Sequence, residues 1–464
     1  MSATLEPMFD AIDPSTRQPF ASVHESSPEE VAAAVEAARG ALLTARAWPV
    51  PERRATALNA IARAIESRAD ELADLECQDT GKPLAQARAD VRVTVRYFDF
   101  YAGAADKLSG ESIPLGPDFL DYTVREPWGV CGQIIPWNYP MQVLARCSAP
   151  ALAAGNAVVL KPSELGSVTP RLIAELAVGA GLPNGLLHVV TGHGAVGAAL
   201  VSHPGVDHVT FVGSAAVGRT VAHACADRLA PVQLELGGKS PNIVFADADL
   251  DRAAPVIVKA LAQNAGQSCS AGSRLLVHRS RHDELLELVA GEMRGLRIGP
   301  GRDDLDLGPL ISERQIERAE RMLERAVREG AQIVLGGQRP AGREDAWFLE
   351  PTIVTGAGPG TEIFEEEVFG PVLTVTPFDD EDEAILLANA TPYGLVSAVW
   401  TADVSRAHRV AAAVKAGQIY VNGYGVGGGV ETPFGGMKRS GYGRGKGMEA
   451  MLSYTQVKNV CVAL

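Results

Sequence analysis

This chain of 464 residues has little that would suit a disulfide scaffold, a membrane span or a nucleic-acid surface. Cysteine is scarce. The six thiols (Cys77, Cys131, Cys147, Cys225, Cys269 and Cys461) are scattered, with no C-x-x-C pair. That spacing argues against a disulfide framework or a zinc site, so no metal is expected, and it suits a reducing compartment. No run approaches the ~18 uninterrupted apolar residues that a bilayer span requires. Residues 1–14 carry Glu6, Asp10 and Asp13 and lack the apolar run of a signal peptide, so a cytoplasmic location is expected. Basic charge is also in deficit: Lys and Arg number 42 against 56 Asp and Glu, a net charge of −14. Nucleic acid and anionic membranes both need a basic footprint, so neither is an expected partner.

What is present is globular. Hydrophobic residues make up 46% and charged residues 21%, and at about 150 residues per domain the length predicts two or three domains. Ser27-Pro28-Glu29-Glu30 reads as an N-cap and a proline at the first helical position. A second amphipathic helix is predicted over 51–77, with Leu58, Ile61, Ile65 and Leu72 at helical spacing. Residues 112–115 and 119–124 read as two short strands around a turn at Gly116-Pro117-Asp118. No neighbouring helix covers this hairpin, so it is expected to project and pair with another subunit.

From Gly129 onward, short apolar runs alternate with helical stretches. Strands are predicted at 130–135, 157–160, 186–190, 208–212 and 242–245, then at 274–277, 332–335, 372–377 and 397–400. This βα alternation predicts an α/β fold with doubly wound parallel sheets in two domains. Gly427-Gly428-Gly429 reads as a loop leading into Pro433-Phe434-Gly435-Gly436.

Two glycine motifs imitate nucleotide sites. Gly192-His193-Gly194-Ala195-Val196-Gly197 has the dinucleotide form, but the acidic residue expected ~20 positions on is missing and Asp207 comes too early. The alternative is a tight βα turn. Gly213-Ser214-Ala215-Ala216-Val217-Gly218-Arg219-Thr220 resembles a phosphate loop with Arg in place of Lys, which does not suit an NTPase. Its strand-to-helix turn still favours a pyrophosphate through free N–H groups and the helix dipole.

Four other strings carry more. Gln267-Ser268-Cys269-Ser270-Ala271-Gly272 places a cysteine among small polar neighbours, although a lone cysteine is usually an inert buried residue. Gln233-Leu234-Glu235-Leu236-Gly237-Gly238 holds a carboxylate in an apolar stretch, open to a reading as a paired strand-end glutamate. Pro136-Trp137-Asn138-Tyr139-Pro140 and Lys161-Pro162-Ser163-Glu164 complete the set. Together with Glu367-Val368-Phe369-Gly370-Pro371-Val372 and Pro433-Phe434-Gly435-Gly436-Met437-Lys438, the chain resembles the NAD(P)-dependent aldehyde dehydrogenase superfamily of the hydrolytic, non-acylating type. The strings follow the family's order from about residue 10 to the C-terminus.

The resemblance implies a role for each residue. Cys269 would be the nucleophile that forms a thiohemiacetal and then a thioester, Asn138 with the Cys269 backbone N–H the oxyanion hole, and Glu235 the base that activates water. Ile134, Pro136, Trp137, Lys161, Ser163, Glu164, Gly194, Gly213, Ser214, Gly218, Gly237, Glu367 and Phe369 would contact the cofactor. A carboxylate at Glu164 accepts from a ribose 2′-OH and repels a 2′-phosphate, so NAD is favoured over NADP. Tyr139, Arg146, Ser268, Ser270 and Phe434 would line the substrate tunnel. The resemblance implies an NAD-binding domain at 1–107 plus 127–236 and a catalytic domain at 237–441. Residues 108–126 and 442–464 would be the contacts of a homodimer or homotetramer.

The chain departs from the family at two linked positions: Cys147 stands where Lys is common and Gly445 where Glu is common, a pair thought to relay protons. Arg146 matches the semialdehyde-type members, which makes a semialdehyde acid one candidate substrate. Neutral aliphatic, aromatic and amino-aldehydes remain alternatives. A CoA-acylating member and a catalytically silent binding protein also stay open, the first disfavoured by Glu-Leu-Gly-Gly and the second by intact Cys269, Glu235 and Asn138.

Overall fold

A computed structural model describes residues 7–343, 346–425 and 429–464. Most of the expected glycine loop, at Gly427 and Gly428, lies outside the described residues, as do residues 1–6 of the N-terminal segment. Among the described residues, no helix is long and apolar enough to cross a membrane.

Two largely parallel sheets carry the chain, as the βα alternation predicts. The first runs from edge to edge as Gly441–Tyr442, Val232–Glu235, His208–Val212, Val130–Ile135, Ala157–Pro162 and Leu187–Val189. Only Gly441–Tyr442 is antiparallel to its neighbour. The strand order reverses at Val130–Ile135: the chain steps out to Leu187–Val189, then returns to lay His208–Val212 on the other side. A doubly wound sheet opens a crevice for ligand at the carboxyl ends of such a pair.

The second sheet runs Gln332–Leu335, Thr352–Thr355, Val372–Phe378, Arg274–His278, Pro241–Val244, Val396–Trp400 and Gln418–Val421. Gln332–Leu335 is its antiparallel edge. Neighbours on one strand serve different cores: Leu276 packs on one face, Leu275 and Val277 on the other. A strand covered on both faces has to be apolar throughout, which is why these runs do not alternate.

Some elements differ from expectation. The helix predicted over 51–77 is two, Pro51–Ser67 and Ala69–Thr80, divided at Arg68 with φ −117° and ψ 27°. The apolar stripe continues across the break, so periodicity does not register it. The strands Met8–Asp13, Gln18–His24, Val232–Glu235, Thr352–Thr355 and Gln418–Val421 were not anticipated. Ser27 does cap the helix Pro28–Thr44 in a complete capping box with Glu30. The strand Phe119–Pro127 pairs with Ser112–Ile113 and, along its whole length, with the C-terminal strand Thr455–Ala463.

Candidate active site

A cavity of about 460 Å³ forms where the carboxyl ends of the first sheet meet the amino ends of the second. Asn138, Glu235 and Cys269 line it together, as do Pro136, Trp137, Gly213, Ser214, Gly237, Glu367 and Phe369. Tyr139, Arg146, Ser268, Ser270 and Phe434 line it too. Residues that lie far apart in the chain are thus brought to one chamber.

The cysteine loop is built on unusual backbone. Asn264, Ala265 and Gly266 have φ of 51°, 53° and 75°, a left-handed turn that costs a non-glycine residue about 1–2 kcal/mol. At Gly266 a Cβ would fall 2.1 Å from the Gly370 carbonyl, so only glycine fits there. Side chains hold the turn. Gln267 Nε2 donates to Asn264 O (3.1 Å) and its Oε1 accepts from Ile311 N (2.9 Å). Asn264 Nδ2 donates to Asn138 O at 3.0 Å, and Asn138 Nδ2 donates to Gln267 O at 3.0 Å. The thiol loop and the Asn138 amide are therefore locked to each other. Burial pushes the Cys269 thiol up to about 11, against the pull of Arg146.

The Asn138 carbonyl also accepts from Lys82 Nζ at 2.9 Å. Lys82 is fully buried, donates to Asp90 at 2.5 Å and Glu76 at 3.4 Å, and lies 4.5 Å from the Tyr139 ring centroid.

Two buried carboxylates face the cavity. Glu235 ends the strand Val232–Glu235, and burial pushes its carboxyl up to about 7, with Arg146 and Arg444 pulling it down. Its Oε2 has no hydrogen-bond partner among the described residues. Glu367 accepts from Gly238 N at 3.1 Å, and burial likewise raises it to about 7. A Cβ on Gly237 would come within 2.3 Å of Glu367 Oε2, so the glycine is what lets that carboxylate approach. Phe369 sits at φ 62° and meets Trp137 edge-on, with ring centroids 5.4 Å apart.

Ile134, Lys161, Ser163, Glu164, Gly194 and Gly218 do not line the cavity. Ile134, Lys161 and Gly197 cluster at the carboxyl ends of adjacent strands, where a Cβ on Gly197 would meet Ile134 Cδ1 at 3.3 Å and Lys161 Cδ at 3.9 Å. Glu164 lies 3.5 Å from Lys161 Nζ. Gly194 opens the helix Gly194–Ser202 onto free space, and Ser214 caps Ala215–Ala226 by accepting from Val217 N. Gly218 faces inward instead: a Cβ there would strike Leu236 at 2.6 Å, so it serves helix packing. Asp207 accepts from Val130 N and pairs with Arg39, which gives it a structural role.

The cavity also holds residues that the sequence did not single out, among them Lys446, Tyr97, Gln142, Tyr420 and Tyr424. For Lys446 a signal existed: it follows Gly445, one of the two departures from the family pattern. Arg146 is 7% exposed and its Nε and Nη2 have no partner among the described residues.

Comparison with known proteins places the whole chain in one family. The model of the aldehyde dehydrogenase family matches residues 1–460. A betaine aldehyde dehydrogenase of Cereibacter sphaeroides is 43% identical over 98% of this chain and 93% of its own. An aldehyde dehydrogenase of Emericella nidulans is 41% identical over 97% and 91%. Among solved structures, the NAD+ complex of a Bacillus cereus aldehyde dehydrogenase superposes with a TM-score of 0.96 at 39% identity, covering 99% of this chain and 94% of that one.

Proposed function

The chain belongs to the aldehyde dehydrogenase family, and from that premise we propose that it oxidises an aldehyde to its carboxylic acid through a covalent intermediate on Cys269, with NAD as hydride acceptor. A single cavity carries this reading, because it holds the thiol, the Asn138 amide and the Glu235 carboxylate beside Trp137, Ser214 and Glu367. A thiol near 11 does not ionise alone at neutral pH. Its proton has to leave to solvent as Sγ attacks the carbonyl carbon, so that Glu235, near 7, keeps its carboxylate free for the second step. The new oxyanion takes donors from the Cys269 backbone N–H and from the second Nδ2 proton of Asn138, the first being bound to Gln267. Bound NAD supplies the acceptor for the hydride that leaves the thiohemiacetal carbon, so that a thioester remains on Cys269. Glu235 then takes a proton from water, and the hydroxide releases the acid.

The residues fit a dinucleotide. The crevice at the carboxyl ends leads to the helix Ala215–Ala226, whose first-turn N–H groups and dipole suit a pyrophosphate. Lys161 and Glu164 would hold the adenosine ribose and Glu367 the nicotinamide ribose. The Glu164 carboxylate favours NAD over NADP through the repulsion argued above.

For the substrate, Arg146 supports an aldehyde that carries a carboxylate, a semialdehyde acid. It is buried, lines the cavity, and its Nε and Nη2 make no hydrogen bond among the described residues, with Glu235 the carboxylate whose charge it feels. Two parallel bonds to a carboxylate would be worth about 1.5–3 kcal/mol. Betaine aldehyde is a quaternary ammonium cation, and a buried guanidinium repels it. We divide the chain into a cofactor domain (1–107 with 127–236), a catalytic domain (237–441) and oligomer contacts (108–126 and 442–464). The exposed Phe119, Leu120 and Val457 on the three-stranded sheet suit burial in a homodimer or homotetramer, and six free thiols suit the cytoplasm.

Glu235→Gln tests the reaction. It keeps the shape but cannot accept a proton, so an acyl adduct on Cys269 should build up in intact-mass spectra during turnover. Normal turnover without an adduct would make Glu235 structural and end the reading.

A further inference from the structure

Lys446 stands beside Arg146 on the same aromatic ring. The Lys446 ammonium lies 5.1 Å and the Arg146 guanidinium 5.3 Å from the centroid of Phe434. Both side chains line the cavity that holds Cys269. Neither is ion-paired among the described residues, and the carboxylate that shares their surroundings, Glu235, leaves its Oε2 unbonded. Two like charges on one buried ring repel each other, and each loses hydration on burial. Glu235 attracts both and Glu431 attracts Lys446, but neither carboxylate closes an ion pair with them, so a chamber in which two cations share this partial compensation is still preorganised for an anion.

Gly445 keeps the place open. A Cβ there would lie 3.3 Å from Glu235 Oε1 and 3.5 Å from Arg146 Nε. An acidic side chain at that position would pair with Arg146 and occupy the space an anion needs. The ring of Phe434 is also already engaged by this chain's own cations, which removes it as a surface for a cationic substrate.

We propose that Arg146 and Lys446 together form one anion subsite on Phe434 that holds the carboxylate of the aldehyde substrate, with Lys446 as a second specificity-determining residue. This rests on the aldehyde oxidation proposed above. The subsite sets the distance between the carboxylate and the reacting carbonyl at Cys269, so it selects a short ω-acid aldehyde over its neutral counterpart.

The test compares succinate semialdehyde with butyraldehyde, four-carbon aldehydes that differ in the terminal carboxylate. Steady-state NADH formation is measured for wild type, Lys446→Met and Lys446→Arg, with thermal melting of each. Wild type should prefer the acid at least tenfold in kcat/KM. Lys446→Met should lower that preference at least tenfold, chiefly through KM for the acid, and Lys446→Arg should restore most of it. If Lys446→Met does not fold, Lys446→Gln takes its place. An acid preference that survives the loss of Lys446 overturns the proposal and leaves aldehyde oxidation standing. Equal losses for both aldehydes make Lys446 structural and also overturn it, as does a wild-type preference for butyraldehyde. NADH formation from neither aldehyde overturns this subsite, and a panel of aromatic and amino-aldehydes then tests the underlying reaction separately.

Discussion

Two buried cation sites flank the cavity, and they differ in what surrounds the charge. Lys82 is complete: its ammonium reaches Asp90, Glu76 and the Asn138 carbonyl and lies over the Tyr139 ring. Arg146 and Lys446 share one ring and have no ion-paired carboxylate among the described residues. The first site satisfies itself and thereby fixes the Asn138 backbone. The second is half of an interaction, and a ligand supplies the other half. The comparison teaches that the role of a buried charge lies in its partners, because burial costs the same energy whether the compensation comes from the fold or from a substrate.

The largest effect should appear on the ligand side. Cys269→Ala should lower NADH formation by several orders of magnitude while the melting temperature and NAD binding hold. A variant within tenfold of wild type would detach the cavity from the chemistry and dissolve the contrast. On the completed side, Lys82→Met should cost about 3–5 kcal/mol, because it strands Glu76 and Asp90 without their cation. Chemical denaturation measures this, and a loss under 1 kcal/mol would mean that the Lys82 network is not the structural member of the pair.

A smaller effect links the two carboxylate states of Glu235. In the proposed reaction deacylation needs the ionised form, so its rate should fall about tenfold per pH unit below about 7. Because Arg146 lowers that value, Arg146→Leu should move the acid limb to higher pH. Acid-quench measurement of acyl-enzyme decay across pH 5.5 to 8.5 follows both. A limb unmoved by Arg146→Leu would separate the arginine from the base and leave it to the substrate alone.

Much of the candidate site was legible because its residue types stand in short local strings. Cys269 sits in a small-residue loop, Glu235 in an apolar run before two glycines, and Asn138 in a tryptophan-asparagine turn after a strand. The central strands were legible for the same reason: a run such as Leu275-Leu276-Val277 has no polar face. The strand Val232–Glu235 was harder to see, since its four residues mix polar Gln233 and Glu235 with Val232 and Leu234. The break at Arg68 was invisible because the buried stripe passes through it. Gly218 looked like part of a phosphate turn, but its missing side chain makes room for Leu236.

The sequence by itself determined the central strands, the candidate residue types and the family, since these depend on short-range pattern and on side-chain chemistry. Only the tertiary structure decided which charges would be compensated. Lys82 and Lys446 are the same residue type in one chain. One folds among carboxylates brought from the two neighbouring helices, while the other folds onto a phenylalanine shared with an arginine 300 positions away. Electrostatic energy depends on distance through the folded molecule, and distance along the chain does not report it.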